Sequence, residues 1–134
     1  MAVETDAELD KRDAEALYEL ALSHYHGDGV AQDFEEAFRL MLLAAETGYA
    51  LAQNSLAIMH ETGCGTAANL EKAVEYYLKA AGQGEARAQG NLGMMFHANG
   101  TGVEADEDEA VNWFLLAAEQ GNEEAQEMLD EMEM

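Results

Sequence analysis

Apolar residues return along this chain in short stripes separated by acidic and amide positions. Ala37, Leu40, Met41, Ala44 and Ala45 lie at offsets 0, 3, 4, 7 and 8, one face of a 3.6-residue helix. The stripe recurs as Ala73, Tyr76, Tyr77, Ala80 and Ala81, and again as Ala110, Trp113, Phe114, Ala117 and Ala118. A different stripe precedes each of these at offsets 0, 4, 5 and 8. It reads Ala16, Leu20, Ala21, His24, then Ala52, Leu56, Ala57, His60, then Ala88, Leu92, Gly93, Phe96. All four offsets are expected to be buried, with the small residue at offset 5 admitting a close partner helix. His24 and His60 are expected to pack between repeats.

The punctuation agrees with the stripes. Asp33, Asn69 and Asp106 stand four residues before the second-type stripes, where an N-cap belongs. Glu36 and Glu109 follow three residues later and complete a capping-box pattern, from which Lys72 departs in the middle copy. Gly48, Gly84 and Gly121 supply the left-handed residue that ends each of these helices. Helices are predicted over 13–26, 33–47, 50–62, 69–82, 86–98, 106–120 and 123–132.

The register between copies is strict. Gly27-Asp28-Gly29 returns as Gly63-Cys64-Gly65 after 36 residues and as Gly100-Thr101-Gly102 after another 37. Ala16, Ala52, Ala88 and Ala125 keep step, as do Leu20, Leu56, Leu92 and Leu129. The prediction is an all-α stack of three antiparallel helix pairs, 14–49, 50–85 and 86–122, closed by a capping helix from a partial fourth copy at 123–134. These form a single domain over 13–134. Residues 1–12 form an acidic lead-in that is expected to be mobile.

The pattern Ala-x-x-x-Leu-(Gly/Ala)-x-x-aromatic, Gly-x-Gly, Asp-x-x-x-Ala-x-x-(Trp/Tyr)-(Tyr/Phe)-x-x-Ala-Ala-x-x-Gly resembles Sel1-like repeats, relatives of the tetratricopeptide repeat. The third copy carries it best, through Leu92-Gly93-Met94-Met95-Phe96, Asp106, Ala110, Trp113-Phe114, Ala117-Ala118 and Gly121. His24 and His60 stand where the family usually has Tyr, and no Pro precedes the second helices. The resemblance implies a right-handed α-solenoid that serves as an adaptor or scaffold for other proteins and carries no chemistry. Some relatives are secreted, cysteine-rich and linked to β-lactam binding; this chain lacks their paired cysteines, so that activity is not carried over.

Charge narrows the partners. Six Lys and Arg against 28 Asp and Glu give a net charge of −22, which repels nucleic-acid phosphates and anionic lipid. Neither nucleic acid nor membrane is an expected partner; the charge permits a basic protein or peptide, or else serves only as a solvated surface or an adaptation to high salt. After Arg87 no Lys or Arg follows, while twelve carboxylates fall between Glu104 and Glu133. The acidic start lacks the apolar core of a signal peptide, and the lone Cys64 fits a reducing compartment, so the expected location is cytoplasmic.

Candidate chemistry dissolves on inspection. His24 and His26 point about 200° apart on a helix, so they do not easily share one ion with Asp28 unless the helix has frayed there. The Gly-x-Gly turns follow helices and have no Lys after them, unlike phosphate loops. Cys64 has no cationic neighbour in sequence, so its thiolate is not favoured, although an exposed thiol there would oxidise. No catalytic residue, metal ion or cofactor is assigned.

What remains is a surface. Opposite the buried offsets of the first helices lie Tyr18, Leu22 and Tyr25; Asn54, Ile58 and Glu61; and Gly90, Met94 and His97. Leu22, Ile58 and Met94 would form an apolar ladder along a concave groove, or else pack against the neighbouring pair. The expected binding residues are Tyr18, Leu22, Tyr25, Asn54, Ile58, Met94 and His97. The function expected is a non-enzymatic scaffold that takes a protein segment in this groove, its acidic rim favouring a basic partner. The alternative is an immunity-type protein that neutralises one cationic toxin or enzyme.

Overall fold

A computed structural model describes residues 6–98 and 101–133, and its only regular elements there are seven α-helices. They are α1 (Asp6–His26), α2 (Phe34–Glu46), α3 (Ala50–Thr62), α4 (Leu70–Gly82), α5 (Ala86–His97), α6 (Glu107–Glu119) and α7 (Glu123–Met132). Each packs mainly on its chain neighbours, so the helices zigzag in two layers. The odd-numbered helices form one layer and the even-numbered helices the other. α1 starts at Asp6, ahead of the predicted residue 13; residues 1–5 of the acidic lead-in and Gly100 of the third turn lie outside the described residues.

Local chemistry sets the helix limits. The side chains of Asp33, Asn69 and Asp106 accept from the backbone N–H three residues on, at 3.0, 3.0 and 3.1 Å. Only this half of the capping box forms. The backbone N–H of each cap donates instead to the preceding helix, at His24 O, His60 O and Phe96 O, over 2.7–2.9 Å. Glu36 is thereby left free to pair with Arg39, and Lys72 at the equivalent position costs the middle copy nothing. These bonds tie the first two Gly-x-Gly turns shut, and the third links Asp106 back to Phe96. At the far ends Gly48, Gly84 and Gly121 take φ values of 92–95°, the conformation expected of them.

Three apolar clusters run down the middle of the stack, and each joins an even-numbered helix to its neighbours. Ala37, Leu40, Met41, Ala44 and Ala45 of α2 meet Ala21 of α1 on one side and Ala52, Leu56 and Met59 of α3 on the other. Ala73, Tyr77, Ala80 and Ala81 of α4 lie between Ala57 of α3 and Ala88, Leu92 and Met95 of α5. Ala110, Phe114 and Ala117 of α6 meet Ala125 and Leu129 of α7. Each inner odd-numbered helix therefore has two buried lines, one toward its own partner and one toward the preceding pair. Two helices approach closely at Gly93, where a Cβ would stand 2.5 Å from the buried ring of Phe114.

Two expectations about burial need correction. Ala16 and Leu20 were expected to be covered like their counterparts, yet Ala16 is exposed and Leu20 is 44% exposed, whereas Leu56 and Leu92 are fully buried. The reason is positional: their line faces a preceding pair, and α1 is the first helix of the stack. Cys64 is half-buried against the first core cluster and not freely exposed, and burial pushes its thiol pKa up. The histidine expectation agrees with the structure at His60. Its ring lies between Phe38 of the preceding pair, edge-on at 5.4 Å, and Tyr76, stacked at 5.8 Å.

Candidate inner groove

The odd-numbered helices supply the inner layer, and along it a hollow of about 720 Å³ opens between α3, α5 and α7. Asn54, Ser55 and Ile58 form one wall, Arg87, Gly90, Asn91 and Met94 the floor, and Asn122, Glu123, Glu124 and Met128 the other wall. Helical spacing explains the lining. On α3 and α5, offsets 0, 4 and 5 are committed to the core, so offsets 2, 3 and 6 must face away from it. The hollow mixes apolar and polar groups: Ile58 and Met94 remain 38% and 46% exposed. Such large apolar side chains beside polar groups mark a surface suited to covering.

The amides are organised. Asn91 Nδ2 donates to Asn54 Oδ1 over 3.2 Å, which links adjacent repeats and buries Asn54 to 3% exposure. Asn122 caps α7 by accepting from the N–H of Ala125 at 3.0 Å, and its Nδ2 points toward Gly90, where a Cβ would come within 3.0 Å. Arg87 is the only basic side chain lining the hollow among the described residues; it pairs with Glu85 at 3.3 Å and remains well exposed. Glu123 and Glu124 face it from the first turn of α7.

Of the seven residues picked out from sequence, Asn54, Ile58 and Met94 meet in this hollow. The other four stand elsewhere. Tyr18 sets its ring edge against Tyr49 at 5.5 Å, and Leu22 is half-buried against the first core cluster. Tyr25 packs edge-on to Phe34 and His26. His97 Nδ1 lies 2.8 Å from Glu107 Oε1 at the turn between α5 and α6. The apolar ladder thus begins at Ile58, because Leu22 packs half-buried against the first core cluster and does not line the hollow. Glu61, on the same predicted face, accepts a 2.7 Å bond from the hydroxyl of Tyr77, and burial together with that bond pushes the phenol pKa up.

Sequence reasoning missed the α7 wall, Asn91 and Ser55. The last two share offset 3 in their repeats, a position with no hydrophobic signal. Asn122 closes the third copy as the cap of α7 and Met128 belongs to the partial fourth; their role as a groove wall depends on how the stack curves.

Paired helices, repeated caps and a continuous inner layer define an α-solenoid repeat protein. A family model for the Sel1 repeat matches residues 14–49, 50–85 and 86–122, and the chain belongs to that family. It is similar to a Sel1 repeat protein from Oxalobacter formigenes, with 34% identity, a TM-score of 0.81, and coverage of 94% of this chain and 96% of that one. It is also similar to c5321, described as a protective antigen of uropathogenic Escherichia coli strains with an SLR fold. There the identity is 37% and the TM-score 0.81, with 92% of this chain matched to 27% of that longer one. A third likeness is to cysteine-rich protein B of Helicobacter pylori, at 25% identity and TM-score 0.71, covering 92% and 97% of the two chains. Among curated proteins, none matches in sequence. Sel1 repeats generally mediate protein–protein interaction and are generally non-catalytic. No helix among the described residues is long and apolar enough to cross a membrane.

Proposed function

We propose that the chain is a non-enzymatic adaptor whose inner groove holds a segment of a partner protein. The observation that supports this reading is the hollow between α3, α5 and α7, where Ile58, Met94 and Met128 stand beside Asn54, Asn91 and Asn122. Apolar side chains offer an anchor, and carboxamides can both donate to and accept from a peptide backbone. A chain net charge of −22 and carboxylates at the groove edge favour a segment carrying Lys or Arg around an aliphatic residue.

Panning a random peptide library against the wild-type protein and against Ile58→Asp tests the reading. Peptides enriched on the wild type should carry that composition, bind Ile58→Asp at least about tenfold more weakly, and weaken as salt is added. Enriched peptides indifferent to both changes would sink the groove.

The alternative of a dedicated neutraliser draws on the exposed carboxylates of α6 and α7, which no Lys or Arg interrupts. It predicts that charge reversals at Glu124, Glu127 and Glu131 abolish binding of the basic target while Ile58→Asp leaves it intact.

A further inference from the structure

The two ends of the stack are built differently. An inner odd-numbered helix carries two apolar lines: Ala57 or Gly93 toward its own partner helix, and Ala52 with Leu56 or Ala88 with Leu92 toward the helix of the preceding pair. α7 keeps only the second line, with Ala125 and Leu129 buried on α6. At its own-partner position, in register with Ala21, Ala57 and Gly93, stands Asp130, exposed and bonded to Gln126 at 3.0 Å. That is the make-up of a terminating helix. α1 keeps both lines. Ala21 is fully buried under α2, while Ala16 and Leu20 present the other line to solvent.

The chain itself shows what fits that line. In three places the same alanine and leucine, four residues apart, are covered to between 0 and 9% exposure. The cover each time is a helix with small residues at offsets 0, 7 and 8 and large ones at 3 and 4. A second copy has no such helix to lend, because α2, α4 and α6 are already covered by α3, α5 and α7. Joining two α1 faces would also bring together two chains that each carry −22.

We propose that the α1 end of the stack is a docking edge for a helix of another protein, one carrying this small–large–small stripe with basic flanking residues. The charge preference follows from α1 as a whole, whose sequence carries six Asp and Glu against Lys11 and Arg12, and from Asp13, Glu15 and Glu19 beside the exposed line. This edge is separate from the inner groove and does not depend on the groove being used.

The probe is a labelled peptide of residues 69–84, held helical by a lactam between its Glu75 and Lys79 and given a basic flank by Glu71→Lys. Fluorescence anisotropy against the full chain should show saturable, salt-weakened binding. Leu20→Glu should weaken it at least about tenfold, while Ile58→Asp should leave it unchanged. Leu20 is exposed, so Leu20→Glu should keep its thermal midpoint. The proposal fails if no saturation is seen by about 1 mM peptide, if Leu20→Glu binds as well as wild type, or if only Ile58→Asp loses binding. It also fails if sedimentation shows a dimer that Leu20→Glu dissolves, since the edge then belongs to a second copy.

Discussion

Gln83 Nε2 donates to Gln53 Oε1 at 2.8 Å and to Gly48 O at 2.9 Å, joining the second repeat's closing turn to its own first helix and to the turn before it. One repeat later, Gln120 Nε2 donates to Gln89 Oε1 and to Gly84 O, both at 2.9 Å. Gln53 and Gln89 are 5% exposed, and each passes its own Nε2 on to the preceding helix, at Ala45 O and Ala81 O. The first copy has Leu17 and Thr47 at these positions, and Thr47 bonds within its own helix to Ala44 O. The glutamine pair is thus present where a preceding repeat exists to receive it.

Gln83→Ala should therefore cost about 1–3 kcal/mol, because it leaves the carbonyl of Gln53 buried and unsatisfied. Removing both amides together, as Gln53→Leu with Gln83→Leu, should recover part of that loss. Thr47→Ala should stay within about 0.5 kcal/mol. Urea unfolding of the three variants checks the order, and equal losses at Thr47 and Gln83 would refute it.

Gly93→Ala offers a test of close packing. Alanine favours a helix over glycine by about 1 kcal/mol, but its Cβ would lie 2.5 Å from the ring of Phe114, which is 1% exposed and has little room to retreat. A net destabilisation of about 1–3 kcal/mol is expected, and Phe114→Leu in the same chain should relieve part of it. Thermal denaturation decides; a stabilised Gly93→Ala would mean the two helices can part at no cost.

Leu20 and Leu56 occupy the same place in successive repeats. Leu56→Ala should cost about 2–5 kcal/mol, as expected for a buried core leucine. Leu20→Ala should cost less than about 1 kcal/mol, since that side chain is 44% exposed. Similar losses at both sites would place Leu20 in a core that the structure does not contain.

Acid should act through His60. Burial first, and then the nearby Lys72 charge, lower its pKa below the ordinary histidine value. The folded chain holds the ring neutral while the unfolded chain takes up a proton, so stability present above about pH 6.5 is lost as the pH falls below it, down to the native pKa. The carboxylates titrate in every variant, so the readout is a difference. Stability of the wild type minus that of His60→Phe should decline between about pH 6.5 and 5, and a flat difference would contradict the assignment.

The helices, their caps and the repeat boundaries were legible in the sequence because each rests on local geometry repeated at a fixed step. A stripe such as Ala37, Leu40, Met41, Ala44 and Ala45 identifies its own face wherever it occurs, and Asp33 or Gly48 stops the helix with its own side chain or backbone. The glutamine pairs were also in register, Gln53 with Gln89 and Gln83 with Gln120, but polar residues at matching steps announce no partner until two elements are placed side by side.

Periodicity determines which residues are equivalent, and with them the all-helical stack; it cannot tell equivalent residues apart. Only the folded stack decides that Leu20 stays exposed while Leu56 is covered, and that Leu22 packs half-buried against the core while Ile58 stays at the surface. The same holds for α7, which returns as the far wall of the inner hollow. Burial is a property of neighbours, and neighbours exist only once the repeats have been laid against one another.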